Sequence, residues 1–125
     1  MFKGKFNGKV CIVTGGAGFI GSSLVEKLTS YGAKVKIIDN LSAGKQNVDF
    51  LKKIGAKFFK KDICNYQEIK GLFKNVDYVF HLAAMNRAQR SINEPIASNN
   101  TNINGTLNCL QLSRLNNVGK FIFVS

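Results

Sequence analysis

Short apolar runs alternate with stretches of helical periodicity along the whole chain. KVCIVT, residues Lys9 to Thr14, is apolar and rich in β-branched residues, and it ends at glycine. That pattern predicts a buried strand. Phe19, Ile20, Leu24 and Leu28 then recur at helical spacing, and Gly32 follows where a helix C-terminal glycine belongs. KVKIID, Lys34 to Asp39, predicts a second strand, and NLSAGKQN a polar loop. VDFLKKIG predicts a short helix, AKFFKKDI a third strand and YQEIKGLF one or two helical turns. VDYVFHLAA, Val76 to Ala84, predicts a fourth strand, followed by the loop MNRAQRSINEP. From Ala97 to about Leu115 the apolar positions Ile103, Leu107 and Leu110 share one helical face, and KFIFVS predicts a fifth strand.

Strands that alternate with helices imply right-handed βαβ units on a parallel sheet. The expected fold is α/β, a Rossmann-type doubly wound parallel sheet with strand order 3-2-1-4-5. A length of 125 residues and a hydrophobic fraction of 45% fit one domain, residues 1–125, with a real core. The chain carries 18 Lys and Arg against 7 Asp and Glu, a net charge of +11. The lysines are scattered, which reads as a solvated surface, though such a field also attracts anions. Nucleic-acid binding lacks the interleaving of aromatic and basic residues that stacks bases, because five of the ten phenylalanines fall in predicted strands.

Cys11, Cys64 and Cys109 are widely spaced and odd in number, which points to reduced thiols and a cytoplasmic protein. The N-terminal MFKGKFNGK is polar, and no apolar run approaches the ~20 residues that span a bilayer. His81 is the single histidine, so no metal site is expected. Its place inside a predicted strand favours a structural role over a catalytic one.

The densest signal is TGGAGFIG, Thr14 to Gly21, between the first strand and the first long helix. Gly15, Gly18 and Gly21 form G-x-x-G-x-x-G. Gly15 allows the tight turn out of the strand, Gly18 lets a pyrophosphate approach the backbone, and Gly21 lets the helix lie close on the sheet. The helix N-terminus then offers unpaired amides to the phosphates. Asp39 ends the second strand, where a carboxylate accepts hydrogen bonds from an adenosine ribose and repels a 2′-phosphate. The expected cofactor is therefore NAD rather than NADP, with Lys45 the neighbour that could weaken the preference.

TGGAGFIG, DNLSAGKQN, KDI, FHLAA and RSINEPIASNNTNINGTLN occur in this order at familiar spacing. From Lys9 onward the chain resembles the extended short-chain dehydrogenase/reductases, specifically NAD-dependent nucleotide-sugar epimerases and dehydratases of the UDP-glucose 4-epimerase type. The resemblance implies that Gly15, Gly18, Phe19 and Ile20 meet the pyrophosphate, with Gly21 completing the cofactor-binding turn by letting the helix lie close. It implies that Asp39, Asn40 and the turn Ser42, Ala43, Gly44 hold the adenosine ribose and its phosphate. Asp62 and Ile63 would sit at the adenine. Leu82, Ala83 and Ala84 would pass beneath the nicotinamide half, and Asn102 would help order the strand ends. Asn86 and Arg87 are further candidates for reaching substrate or cofactor. A nucleotide-sugar partner, most simply a UDP-sugar, and a homodimer of the full-length protein are also implied.

In that family the reacting hydroxyl is handled by a Tyr-x-x-x-Lys pair beyond the fifth strand, in a region this sequence does not contain. Tyr66 and Lys70 match the spacing, but they fall between strands three and four, beside the expected adenine end, so no catalytic residue is assigned. The expectation is a fragment: the cofactor-binding portion of such an enzyme, inactive and of low stability alone. Related dehydratase or decarboxylase chemistry and a non-catalytic NAD-binding module are the alternatives.

Overall fold

The computed structural model describes residues 2–42, 44–82 and 100–124. Five parallel strands form one sheet in the order β3-β2-β1-β4-β5. They are β1 (Val10–Thr14), β2 (Lys34–Asp39), β3 (Lys57–Lys60), β4 (Tyr78–His81) and β5 (Lys120–Phe123). The order matches the sequence expectation. The apolar runs of β1 and β4, buried along nearly their whole length, fit central strands of a parallel sheet covered on both faces, while β2 keeps lysines at Lys34 and Lys36 where it begins. Register aligns Thr14 with Ile38 on one side and with His81 on the other, so the ends of β1, β2 and β4 lie together.

Alternate residues feed two cores. Cys11, Val13, Val35, Ile37 and Phe80 face one layer, where α2 (Phe19–Ser30) and α3 (Val48–Lys53) contribute Val25, Leu28 and Leu51. Ile12, Ile38 and Val79 face the other layer. There α4 (Tyr66–Ile69), the 3-10 turn Lys70–Phe73 and α5 (Thr106–Leu115) bring Ile69, Phe73, Cys109 and Leu112.

Three expectations need correction. The N-terminal stretch reads as polar, yet Phe2–Phe6 forms a helix, α1. Phe6 explains it, with its ring 5.1 Å from Tyr78 and 6.2 Å from Phe80, in an aromatic cluster assembled by β4. The second correction concerns the last helix. Ile103, Leu107 and Leu110 do share a face, but it is the outward one, 48%, 58% and 43% exposed. Its inward face is Gly105, Cys109 and Leu112, where Gly105 sits so close to Ile63 that a Cβ would lie 2.5 Å from Cδ1. A π-helical turn, Asn100–Gly105, leads into α5, so the described part is not one continuous α-helix. Third, β3 and β4 are shorter than the stretches expected for them, β3 ending at Lys60 and β4 at His81, whereas β2 keeps the expected bounds Lys34–Asp39.

Candidate functional site

The glycine turn leaves β1 and enters α2 at the carboxyl edge of the sheet. Gly15 adopts φ 74°, a left-handed conformation open to glycine, and its N–H donates to the Ile38 carbonyl at 2.8 Å. Gly18 closes the turn onto the Gly15 carbonyl at 3.2 Å. Gly21 lies in the first turn of α2 directly over this loop. A Cβ there would run into the Gly15 carbonyl oxygen and come within 2.8 Å of Gly16 Cα. The close helix–turn contact that the motif predicts is therefore present and sterically strict. Phe19 and Ile20 open the first turn, where helical amides have no intrahelical acceptor. Their side chains are turned outward, Phe19 being 83% exposed.

Asp39 is not a loose strand-end acid. Its Oδ2 accepts the Ala17 N–H at 3.0 Å and its Oδ1 accepts the Leu41 N–H at 2.7 Å. One carboxylate thus ties the glycine turn to the loop after β2 and fixes its own orientation. Leu41 takes φ 64°, which folds that loop back, and Gly44 N–H returns to the Leu41 carbonyl at 3.0 Å. Asn40 Oδ1 accepts the Ser42 N–H at 2.9 Å, a local turn on the exposed side. Asn47 completes the enclosure: its Nδ2 donates to the Ala17 carbonyl at 3.0 Å. Sequence reading passed over Asn47 because an asparagine in a polar loop carries no signal of its own until the loop folds against the turn.

At the third strand Asp62 is exposed, with Oδ1 accepting the Cys64 N–H at 2.9 Å. Ile63 is 5% exposed, its side chain committed to the second core, and its carbonyl accepts Asn108 Nδ2 at 2.8 Å. Leu82 is buried in the first core just beyond β4. Ala43, Ala83, Ala84, Asn86 and Arg87 lie outside the described residues, as does the side chain of Asn102. Tyr66 packs partly buried against the second core, while Lys70 is exposed at the start of the 3-10 turn. Among the described residues no cluster of metal-ligating side chains occurs, and no helix is long and apolar enough to cross a membrane.

His81 links the strand ends to α5. Its Nδ1 is 2.8 Å from Thr14 Oγ1 and its Nε2 is 2.9 Å from Thr106 Oγ1. Thr14 Oγ1 also accepts the Leu82 N–H at 3.0 Å. Burial, at 1% exposure, pushes the imidazole down from 6.5 to about 4. A neutral ring bonded at both nitrogens suits a structural strut and matches the sequence expectation.

A tight glycine turn, an anchored acid at the end of β2 and the order 3-2-1-4-5 are the elements of a dinucleotide-binding edge. The family model for GDP-mannose 4,6 dehydratase matches residues 12–125. The chain belongs to that family. Proteins similar to it include epimerases, dehydratases and decarboxylases of nucleotide sugars. UDP-glucuronic acid decarboxylase 1 of Danio rerio is 37% identical, over 85% of this chain and 25% of its own. The UDP-glucose 4-epimerase of Thermotoga maritima, solved with UDP-glucose, is 40% identical with a TM-score of 0.83, covering 91% of this chain and 37% of its own. The UDP-glucose 4-epimerase of Thermus thermophilus, solved in complex with NAD, is 34% identical with a TM-score of 0.80, covering 93% and 37%. This GDP-mannose 4,6 dehydratase-family chain therefore spans little more than a third of the length of these epimerases.

Proposed function

We propose that this chain is the NAD-binding portion of a nucleotide-sugar epimerase of the UDP-sugar 4-epimerase type. The observation that carries the reading is the Asp39 carboxylate, held 3.0 Å from the amide of Ala17 inside the glycine turn. An acid locked beside a phosphate-accepting turn presents ribose-binding and pyrophosphate-binding groups at a fixed separation. In this reading the turn and the first amides of α2, at Gly15, Gly18, Phe19 and Ile20, receive the pyrophosphate, and Gly21 lets the helix lie against the turn. Asp39, Asn40 and the Ser42–Gly44 segment take the adenosine ribose and its phosphate. Asp62 and the Ile63 backbone border the adenine, while Leu82, Ala83, Ala84 and Asn102 border the nicotinamide half. The nicotinamide, when bound, supplies a reversible store for the hydride taken from the sugar's C4 carbon. This chain's residues bind and orient; those that move the hydroxyl proton are assigned to sequence beyond it. A UDP-sugar as partner and a homodimer of the full-length protein belong to the same proposal. Epimerase is preferred because the Thermotoga and Thermus structures, both epimerases, resemble this chain over more than nine-tenths of its length.

Calorimetric titration of the purified chain with NAD and with NADP tests the cofactor reading. Saturable NAD binding with a clear preference over NADP is expected, because the Asp39 carboxylate repels a 2′-phosphate. Asp39→Ala should weaken NAD by about tenfold, the loss of one charge-assisted hydrogen-bonding site. It should also narrow the NAD/NADP ratio. Equal affinity of the native chain for both dinucleotides would defeat the assignment of Asp39.

A further inference from the structure

The opposite edge of the sheet, where the strands begin, has a chemistry of its own. β2, β3 and β5 each open on a lysine, Lys34, Lys57 and Lys120, and Lys9 directly precedes β1. β4 is the exception, preceded by Asp77, whose Oδ2 is engaged by the Val10 N–H at 2.8 Å. On this edge a groove of about 390 Å³ opens between β2, the turn before β3 and the turn after the 3-10 helix. Lys34, Lys36, Lys57, Lys74 and Asn75 line it, and among the described residues no carboxylate does.

Strand periodicity explains the gathering. Lys34 and Lys36 are two apart on β2 and so share a face, and Lys36 stands in register with Lys57 on β3. Lys74 arrives from the second helical layer, where Asn75 at φ 60° turns the chain back toward β4. Lys36 is half-buried, and one of its three N–H groups donates to the Leu72 carbonyl at 3.0 Å, which leaves two for a ligand. Burial, with a contribution from Lys57, lowers the Lys36 ammonium below its ordinary value. Like charges gathered around a small concave space, with no acid lining it, cost free energy that a bound anion would recover.

We propose that this groove is a second anion site, distinct from the glycine turn, that binds a short phosphate chain. Four flexible ammonium groups suit phosphate oxygens as point charges, without the bidentate geometry that a carboxylate would ask of arginine. The volume fits a small ligand rather than a polymer. The proposal stands apart from the cofactor reading, because the two sites lie at opposite ends of the same strands.

Inorganic tripolyphosphate is the probe, titrated into the full chain by calorimetry at low and high salt, with ATP in a parallel arm. Saturable one-to-one binding that weakens with salt is expected. Lys36→Met, and separately the double variant of the exposed Lys57→Met and Lys74→Met, should each weaken it at least about tenfold. Lys27→Met, on α2 against the other face, should leave it unchanged. The exposed pair carries the test if Lys36→Met does not fold. Equal affinity for tripolyphosphate and ATP would assign the groove to the phosphate chain alone, and preference for ATP would assign it to a nucleotide's phosphates. Binding that NAD displaces competitively, that survives the lysine substitutions, or that does not occur would overturn the proposal.

Discussion

Replacing His81 with leucine should change how stability depends on pH. The neutral imidazole bridges Thr14 on β1 and Thr106 on α5, and its folded value is about 4 against 6.5 in a free chain. A lowered value means that the fold favours the neutral ring. The resulting stability is complete above pH 6.5 and is lost as pH falls from 6.5 toward about 4. The difference between the folded and free rings corresponds to about 3 kcal/mol, lost at close to 1.4 kcal/mol per pH unit across that window. His81→Leu removes two hydrogen bonds of about 1 kcal/mol each but leaves nothing to protonate. At pH 7.5 the variant should therefore be less stable by about 2 kcal/mol. By pH 4.5 the gap should close or reverse. Urea melts of both chains at several pH values measure this, and carboxylate titration cancels in the difference between them. Two parallel stability curves from pH 7.5 to 4.5 would refute the reasoning, since they would mean that the folded ring accepts a proton as readily as the unfolded one.

Gly21→Ala should cost about 3 kcal/mol and abolish NAD binding, because the new methyl meets the Gly15 carbonyl with backbone on both sides; a chain that melts like the native one would contradict this contact. Burial pushes the Cys11 and Cys109 thiols up to about 12, with smaller contributions from Asp77 and Cys64 respectively. A thiol-reactive dye at pH 8 should therefore label Cys64 alone in the native chain and all three cysteines after unfolding. Rapid native labelling of Cys109 would show that α5 opens readily.

The glycine turn and the acid at the end of β2 were legible in the sequence because each rests on local chemistry, and strand order followed from the topology that alternating strands and helices impose. A short β-branched apolar run bounded by glycine favours a buried strand over a helix, and glycines at three-residue spacing between strand and helix have few other uses. Partnerships were not legible. Periodicity grouped Ile103, Leu107 and Leu110 correctly, but only the approach of Gly105 to Ile63 decided which face of α5 turns inward. Phe6 became a helix anchor only once β4 had delivered Tyr78 and Phe80 to it. Asn47 and Ala17 are far apart in sequence, and the loop after β2 had to fold before one could hold the other. The lysines show the same division most plainly. Along the chain they are dispersed and read as solvated surface, yet parallel strands all start at one edge, so a residue type that recurs at strand starts is concentrated there in three dimensions. Sequence by itself determined which local elements form and where the tight glycine turn lies. Tertiary structure alone decided which distant side chains share a space, because that depends on register and layer order, and no stretch of sequence carries either within itself.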